Sequence, residues 1–351
     1  MRWRSPRITL PVAVLLSAII SIFSCPIDAR GQASTPTPQS QPPEHPPGPP
    51  PDHPPGWGPH WNEKISSTQT LKIGGASLQV DFAEGPLDLP PEKILPWIER
   101  AARAVNVYYG HFPVPRARIL IVPAPDRQGI MQGTTWGDMR GMPGFTRIRL
   151  GQHTTEKDLA EDWTMTHELV HMTFAGMPDD QHWIEEGLAT YIEPIARVQA
   201  GELQAKQVWR DMINGMPKGE PAPGDQGMDR THTWGRTYWG GAMFCLVADV
   251  NIRKATHNRK GLQDALRAIM EAGGTIDHDW PLMKALELGD KATATTVLTT
   301  QYKQWSESPS PVDLPKLWSD LGVSPGKDGV EFNPSAPLAQ IRDAIMARPK
   351  D

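Results

Sequence analysis

His167 and His171 stand four residues apart in the run His167-Glu168-Leu169-Val170-His171, and that spacing has chemical content. On a helix, two such histidines lie on one face, a turn apart. Both imidazoles can then reach one Zn2+ ion. The intervening Glu168 sits beside the metal, placed to take the proton of a water held there. Further along, Trp183-Ile184-Glu185-Glu186-Gly187-Leu188-Ala189-Thr190-Tyr191 offers carboxylates for a third ligand. Such a donor set suits hydrolysis of a peptide bond.

The elements around these residues must bring them together. Trp163, Val170 and Phe174 form a helical stripe with both histidines at its edge, so the rings face inward. Gly176 and Pro178 are stop signals, and Asp179 and Asp180 offer an N-cap for a second helix. The pattern predicts helix, short turn, helix. In the second helix Ile184, Leu188, Tyr191 and Ile195 mark the core side. Glu186, Thr190 and Glu193 share another face, and Glu185 lies off both. Gly187 and Ala189 allow close helix approach on the Glu186 side. Glu186 is therefore the favoured third ligand. Glu193, two turns along the same face, is a candidate to hydrogen-bond a ligand histidine from behind.

With those residues in view, the chain resembles the gluzincin metallopeptidases, the HExxH…E clan of aminopeptidase N and its relatives. Their pattern places a Trp-x-x-Glu-Gly-x-Ala-x-Tyr segment after HExxH, and the resemblance puts the zinc glutamate on Glu186. Tyr238-Trp239-Gly240-Gly241-Ala242-Met243-Phe244 resembles their Tyr-x-x-Gly-Ala segment, which implies that Tyr238 supports the transition state. The stretches from Leu246 to Arg253, Gly261 to Asp264 and Ala336 to Arg342 are most similar to the glycyl aminopeptidase family. The resemblance covers residues 90–346. No Gly-Ala-Met-Glu-Asn segment precedes the HExxH, so the amine-anchoring glutamate of the aminopeptidase N group has no counterpart. The large N-terminal β domain and the PDZ module common in the glycyl aminopeptidase family also have none. Aminopeptidase and endopeptidase specificity both stay open.

The whole chain bounds the reading. Its 351 residues suffice for one large or two small domains. The formal net charge is −5 and no basic patch stands out, which argues against a nucleic-acid partner. Arg2, Arg4 and Arg7 precede an apolar run from Ile8 to Phe23 that is short for a membrane span. Residues 1–33 therefore read as an export signal, the alternative being a single membrane anchor. Ile22-Phe23-Ser24-Cys25 resembles a lipoprotein box, and Gly31-Gln32-Ala33 offers an ordinary cleavage site. Export to the periplasm, the medium or the cell surface is expected, with lipidation of Cys25 as the lesser alternative. Membrane contact is expected only through this segment. The other cysteine, Cys245, lies in an apolar helical run and reads as a small core residue.

Residues 34–61 are a proline-rich linker that favours polyproline II and cannot build a core. His45, His53 and His60 recur along it without a metal-site spacing. The globular pattern starts after it. Leu71, Ile73, Leu78, Val80 and Phe82 predict a hairpin around Gly74-Gly75. Residues 92–109 have helical spacing, and 118–122 read as a buried strand. Residues 133–144 read as a glycine-rich loop, and 146–150 alternate like a half-exposed strand. In the clan the strand before the HExxH helix is an edge that binds the substrate backbone, so 146–150 is a candidate for that edge, the alternative being an ordinary edge strand. After Tyr191 the chain is mostly helical, with apolar periodicity over 236–253, 262–271 and 302–305. Trp280, Trp305 and Trp318 read as packing residues. Residues 216–227 form a loop on the approach to Tyr238, a candidate rim or lid. His232 is a candidate second donor to an oxyanion.

The expected fold is α+β with a gluzincin, thermolysin-like catalytic core. A mixed α/β part over 62–155 leads into zinc-binding helices over 156–200 and a helical part over 201–351, with a cleft between the halves. The expected function is an exported zinc metallopeptidase acting on a peptide or protein. Zn2+ is held by His167, His171 and Glu186, with Glu168 and Tyr238 catalytic and Glu193 in support. Two alternatives are a zinc-bearing scaffold that has lost turnover and a surface binder working through its proline-rich arm. A structural zinc site has no need of Glu168 or Tyr238.

Overall fold

The computed structural model describes residues 63–349 apart from Arg140 and Asp328. The export signal, Cys25, the proline-rich linker and its three histidines lie outside the described residues. Among the described residues no helix is long and apolar enough to cross a membrane.

A five-stranded sheet comes first. Strand β1 (Ile65–Ile73) turns back into β2 (Ala76–Ala83) through Gly74 and Gly75, whose φ values are 55° and 84°. Two residues with positive φ make a tight hairpin whose twist matches the strands, and glycine takes that conformation without strain. Helix α1 (Pro91–Tyr109) then crosses over to β3 (Arg116–Ala124), which pairs parallel to β2. A parallel pair needs such a crossover. Ile94, Ile98, Ala102 and Val105 of α1 are fully buried with Leu78, Val80, Ile119, Ile121, Ile148 and Leu150 of the sheet. This is the core of the α/β part.

The remaining two strands correct the expected edge. Residues 133–144 are not a loop: β4 (Ile130–Met139) and β5 (Met142–Gly151) form an antiparallel hairpin. The sheet order is β1-β2-β3-β5-β4, so 146–150 lies inside the sheet and β4 is the edge. The alternation of 146–150 is real, with Thr146, Ile148 and Leu150 buried between outward Arg147 and Arg149. The glycines mislead because they serve close approach. A Cβ on Gly133 would overlap the Glu168 side chain, and one on Gly137 would overlap the carbonyl of Ile276. Glycine inside a strand commonly marks such contact.

Helices follow. After the short α2 (Glu156–Glu161) comes α3 (Thr164–His171), which carries both histidines. Asp162 fixes its start by accepting from the backbone N–H of Thr164 and Met165, both at 3.0 Å, and from Trp97 Nε1 of α1 at 2.9 Å. The helix ends at His171, earlier than Gly176 and Pro178 suggest. Asp179 and Asp180 do not cap the next helix but form a 3-10 turn (Asp179–Gln181) leading into α4 (His182–Ala200). Beyond α5 (Ala205–Gly215), a turn of π-helix (Arg236–Gly240) runs into α6 (Gly241–Ala255). The chain continues as α7 (Leu262–Glu271), α8 (Leu282–Thr293), α9 (Val297–Trp305) and α10 (Leu314–Leu321). A small hairpin of β6 (Val323–Gly326) and β7 (Gly329–Phe332) and then α11 (Ala339–Met346) complete it. Cys245, Trp305 and Trp318 are buried, and Trp280 is partly buried against the core.

Helix α4 is the centre of this part and packs against α1, α3 and α6. Its crossing with α6 is made by glycines. A Cβ on Gly187 would overlap the backbone of Gly241, and one on Gly241 would overlap Gly187 and the carbonyl of Trp183. Both neighbours are backbone, which cannot rotate away. Gly187→Ala should therefore destabilise the fold by at least the ~1–3 kcal/mol typical of overpacking. Denaturant titration should show a lower midpoint, and a parental midpoint would mean that α4 and α6 can separate freely.

Candidate metal centre

The two helices bring three donors to one place. Nε2 of His167 lies 3.1 Å from Oε2 of Glu186, and Nε2 of His171 lies 3.7 Å from the same oxygen. One ligand atom from each of the three residues lies within 4.8 Å of the others. Ligands bound tetrahedrally at zinc distances stand about 3.3 Å apart, so this spacing suits such an ion. Two imidazoles and one carboxylate are also the donor chemistry that zinc takes in catalytic sites.

Charge is arranged to match. Glu186 is buried, and burial alone would favour its neutral form; the surrounding His171, His167 and His182 hold its carboxyl well below the usual range. Burial and the neighbouring His167 and His182 push His171 down to about 4 against the pull of Glu186, so its ring is neutral and free to ligate. Burial opposes the charged form of His167 too, but the hydrogen bond and charge of Glu186 lift it above the ordinary value.

Glu168 faces the edge strand. Its Oε2 accepts from the hydroxyl of Thr135 at 2.8 Å, and Thr135 Oγ1 also lies 2.9 Å from Thr146 Oγ1 across the β4–β5 pair. Burial pushes the Glu168 carboxyl up to about 7, with His167 and Thr135 pulling the other way. A carboxyl in this range can accept and release a proton near neutrality.

Tyr238 sits in the π-turn across from the histidines. Its ring stacks on His167 with centroids 6.4 Å apart and on Trp234 at 5.8 Å. Burial and the Glu186 and Glu168 carboxylates raise the Tyr238 hydroxyl above its usual range, keeping it a proton donor. The turn is held from behind: Arg236 pairs with Asp225 at 2.8 Å and donates to the carbonyl of Gly219 at 2.6 Å. Met216 and Gly219 are buried, and a Cβ on Gly219 would overlap the backbone of Trp239 and Gly240. The segment 216–227 is thus fastened to the turn that carries Tyr238.

The remaining residues divide. Glu193 is buried near enough for its charge to favour a charged His167, and its hydrogen bond goes to Arg197 Nη1 at 2.8 Å. His232 is exposed. Glu185 stays off the ligand face and bonds Nδ1 of His182 at 3.1 Å, while Nε2 of His182 lies 3.2 Å from Oε1 of Glu186. Sequence reasoning misses Thr135, His182 and Trp234. His182 has a signal, since it stands one helical turn before Glu186. Thr135 has none while 133–144 reads as a loop.

No protein-family model and no curated protein matches this sequence. A solved structure described as an aminopeptidase N family protein shares its fold, and structures of M1 zinc metallopeptidases are also among the matches. An aminopeptidase N family protein from Idiomarina loihiensis matches with a TM-score of 0.51 at 11% identity, over 73% of this chain and 49% of its own. An M1 zinc metallopeptidase from Deinococcus radiodurans matches at 0.46 and 15% identity, over 71% of this chain and 52% of its own. A two-domain M1 zinc metallopeptidase bound to L-arginine gives 0.43 at 14% identity, over 70% and 54%. The chain spans about half the length of these proteins. At 11% identity the likeness to the Idiomarina loihiensis protein is one of fold.

The donor set makes a direct prediction. Purified protein should carry about one zinc per chain, because three protein ligands make one site. His167→Ala and His171→Ala should each abolish stable binding. Glu186→Gln should weaken it strongly, and Glu185→Gln should matter little. Elemental analysis showing undiminished zinc in both histidine variants would remove these ligands, and the reverse order of the glutamates would move the site.

Proposed function

We propose that this chain is an exported zinc metallopeptidase with a gluzincin catalytic core, its cleft lying between the α/β and helical parts. The observation that carries the reading is the meeting of His167, His171 and Glu186 within 4.8 Å, with the buried Glu168 beside them. Bound zinc would supply Lewis acidity, bringing the pKa of a water toward ~7 and polarising the peptide carbonyl.

The chain's own groups supply the rest. The carboxylate of Glu168 takes the proton of the attacking water and delivers a proton to the leaving amine nitrogen. Thr135 holds Oε2 of Glu168 in place for both transfers. The Tyr238 hydroxyl donates to the oxyanion as charge develops on the carbonyl oxygen. An extended substrate pairs with the outer edge of β4, the strand that Glu168 abuts, in place of the 146–150 segment that the sequence suggests. Residues 1–33 direct export. The substrate is a peptide or protein, and the choice between terminal and internal cleavage rests with groups outside this constellation.

A digest of a peptide library by the zinc-loaded protein, read by mass spectrometry, tests the activity and sorts terminal trimming from internal cleavage. Glu168→Gln should keep its zinc and lose ~10²–10⁴-fold in turnover, the usual contribution of a general acid–base group. Thr135→Val keeps the shape and removes the hydroxyl, so its turnover should fall between that of Glu168→Gln and the parent. Unchanged hydrolysis by Glu168→Gln would assign the activity to another site or a contaminant.

Tyr238→Phe keeps the ring stack and deletes the donor. It should lower kcat by roughly 10²–10³-fold with little change in KM, as for other oxyanion donors. Zinc content and thermal stability should stay near parental. A Phe variant with parental kcat would confine Tyr238 to packing.

A further inference from the structure

The assignment of Glu186 as a zinc ligand leaves one oxygen of its carboxylate unexplained. Oε2 is the atom that faces His167 and His171. Oε1 lies 3.2 Å from Nε2 of His182. His182 is the first residue of α4 and stands one turn before Glu186, so helical spacing alone sets its ring over that carboxylate. The ring is held at its other nitrogen as well, with Nδ1 3.1 Å from Oε2 of Glu185. Glu185 in turn accepts at 3.4 Å from the backbone N–H of Met177, in the turn between α3 and α4.

This ring does not fill the core. Its side chain is 45% exposed, whereas that of Glu186 is 10% exposed. What it touches is therefore the better guide to what it does. A carboxylate can serve a metal through one oxygen or through both. A donor fixed on one oxygen lowers that atom's electron density and sets the plane of the group. Such partners orient ligands and tune the metal in characterised sites.

We propose that His182 is a positioning residue for the metal carboxylate. Its Nε2–H occupies Oε1 of Glu186, so that Glu186 serves the metal through Oε2 alone and a place stays open for solvent or substrate. Glu185 fixes the ring for this task. The inference rests on the reading of Glu186 as a zinc ligand.

The test uses the full chain, stripped of metal and reloaded with zinc or cobalt(II). Competition with a chromophoric chelator gives zinc affinity. The visible bands of the cobalt form report coordination number, because they weaken as ligands are added. His182→Ala should lower zinc affinity by about 10–100-fold, the usual effect of losing such a partner, and should weaken the cobalt bands. His182→Gln retains an N–H donor and should recover part of both. Glu185→Ala should fall between His182→Ala and the parent, while Glu185→Gln keeps an acceptor and should stay near parental. The metal-free variants should unfold near the parental temperature, which separates these effects from misfolding. Parental affinity with an unchanged cobalt spectrum in His182→Ala would overturn the role of His182 and leave the ligands standing. A parent that binds no zinc, or a Glu186→Gln variant that binds as tightly as the parent, would instead overturn the ligand assignment and the inference with it.

Discussion

A carboxylate buried between imidazoles is the constraint on which this structure turns. Glu186 is a charged group inside a protein, and an unpaired charge there costs several kcal/mol. His167, His171 and His182 surround it and keep it ionised. They come from two helices, so the arrangement holds only if α3 and α4 keep their distance and rotation. The fold is organised to hold them. Asp162 ties the start of α3 to Trp97 on α1. Past its far end, Gly176 donates to the carbonyl of His278 at 3.0 Å, and Ile276 donates to that of Met172 at 3.4 Å. Restraint at both ends of an eight-residue helix leaves little freedom to its side chains.

Close packing does the same for the opposite wall. Gly187 and Gly241 let α4 and α6 meet at their backbones, so the π-turn before α6 comes near Glu186. Extra residues per turn in a helix are uncommon and recur at functional positions. Here the π-turn carries Tyr238 while Arg236 from the same turn is buried against Asp225. The same few residues thus anchor the turn inward and present a hydroxyl toward the glutamates.

Much of this is legible in the sequence, for a physical reason. Periodicity reports which face of a helix is buried, and it places His167, His171 and Glu186 on facing surfaces. The helix over 262–271 and the hairpin at Gly74-Gly75 follow from equally local signals. Glycine is the ambiguous letter. At Gly187 it reads as close approach, and the structure agrees. At Gly133 and Gly137 it reads as a loop, because nothing local distinguishes a flexible backbone from one crowded by a distant side chain. The crowding groups, Glu168 and Ile276, lie far along the chain. That one ambiguity displaces the sheet edge by a strand and hides Thr135. The caps fail similarly: Asp179 and Asp180 have the right side chains for an N-cap, but the 3-10 turn they form starts α4 at His182 instead.

That helix boundary has a chemical consequence. With α4 beginning at His182, the residue one turn before Glu186 is still helical, and its ring stands over the carboxylate. Only a start later than this would leave His182 outside the helix and release the ring from that spacing. The observed boundary keeps the imidazole on the helix, four residues before Glu186. Burial opposes a charge on that ring, yet hydrogen bonds to Glu185 and Glu186 lift His182 to about 10, so a positive ring stands beside the buried Glu186 carboxylate. The helix boundary and the electrostatics of the buried carboxylate are therefore coupled, and a sequence reading that treats the cap as local punctuation cannot see it.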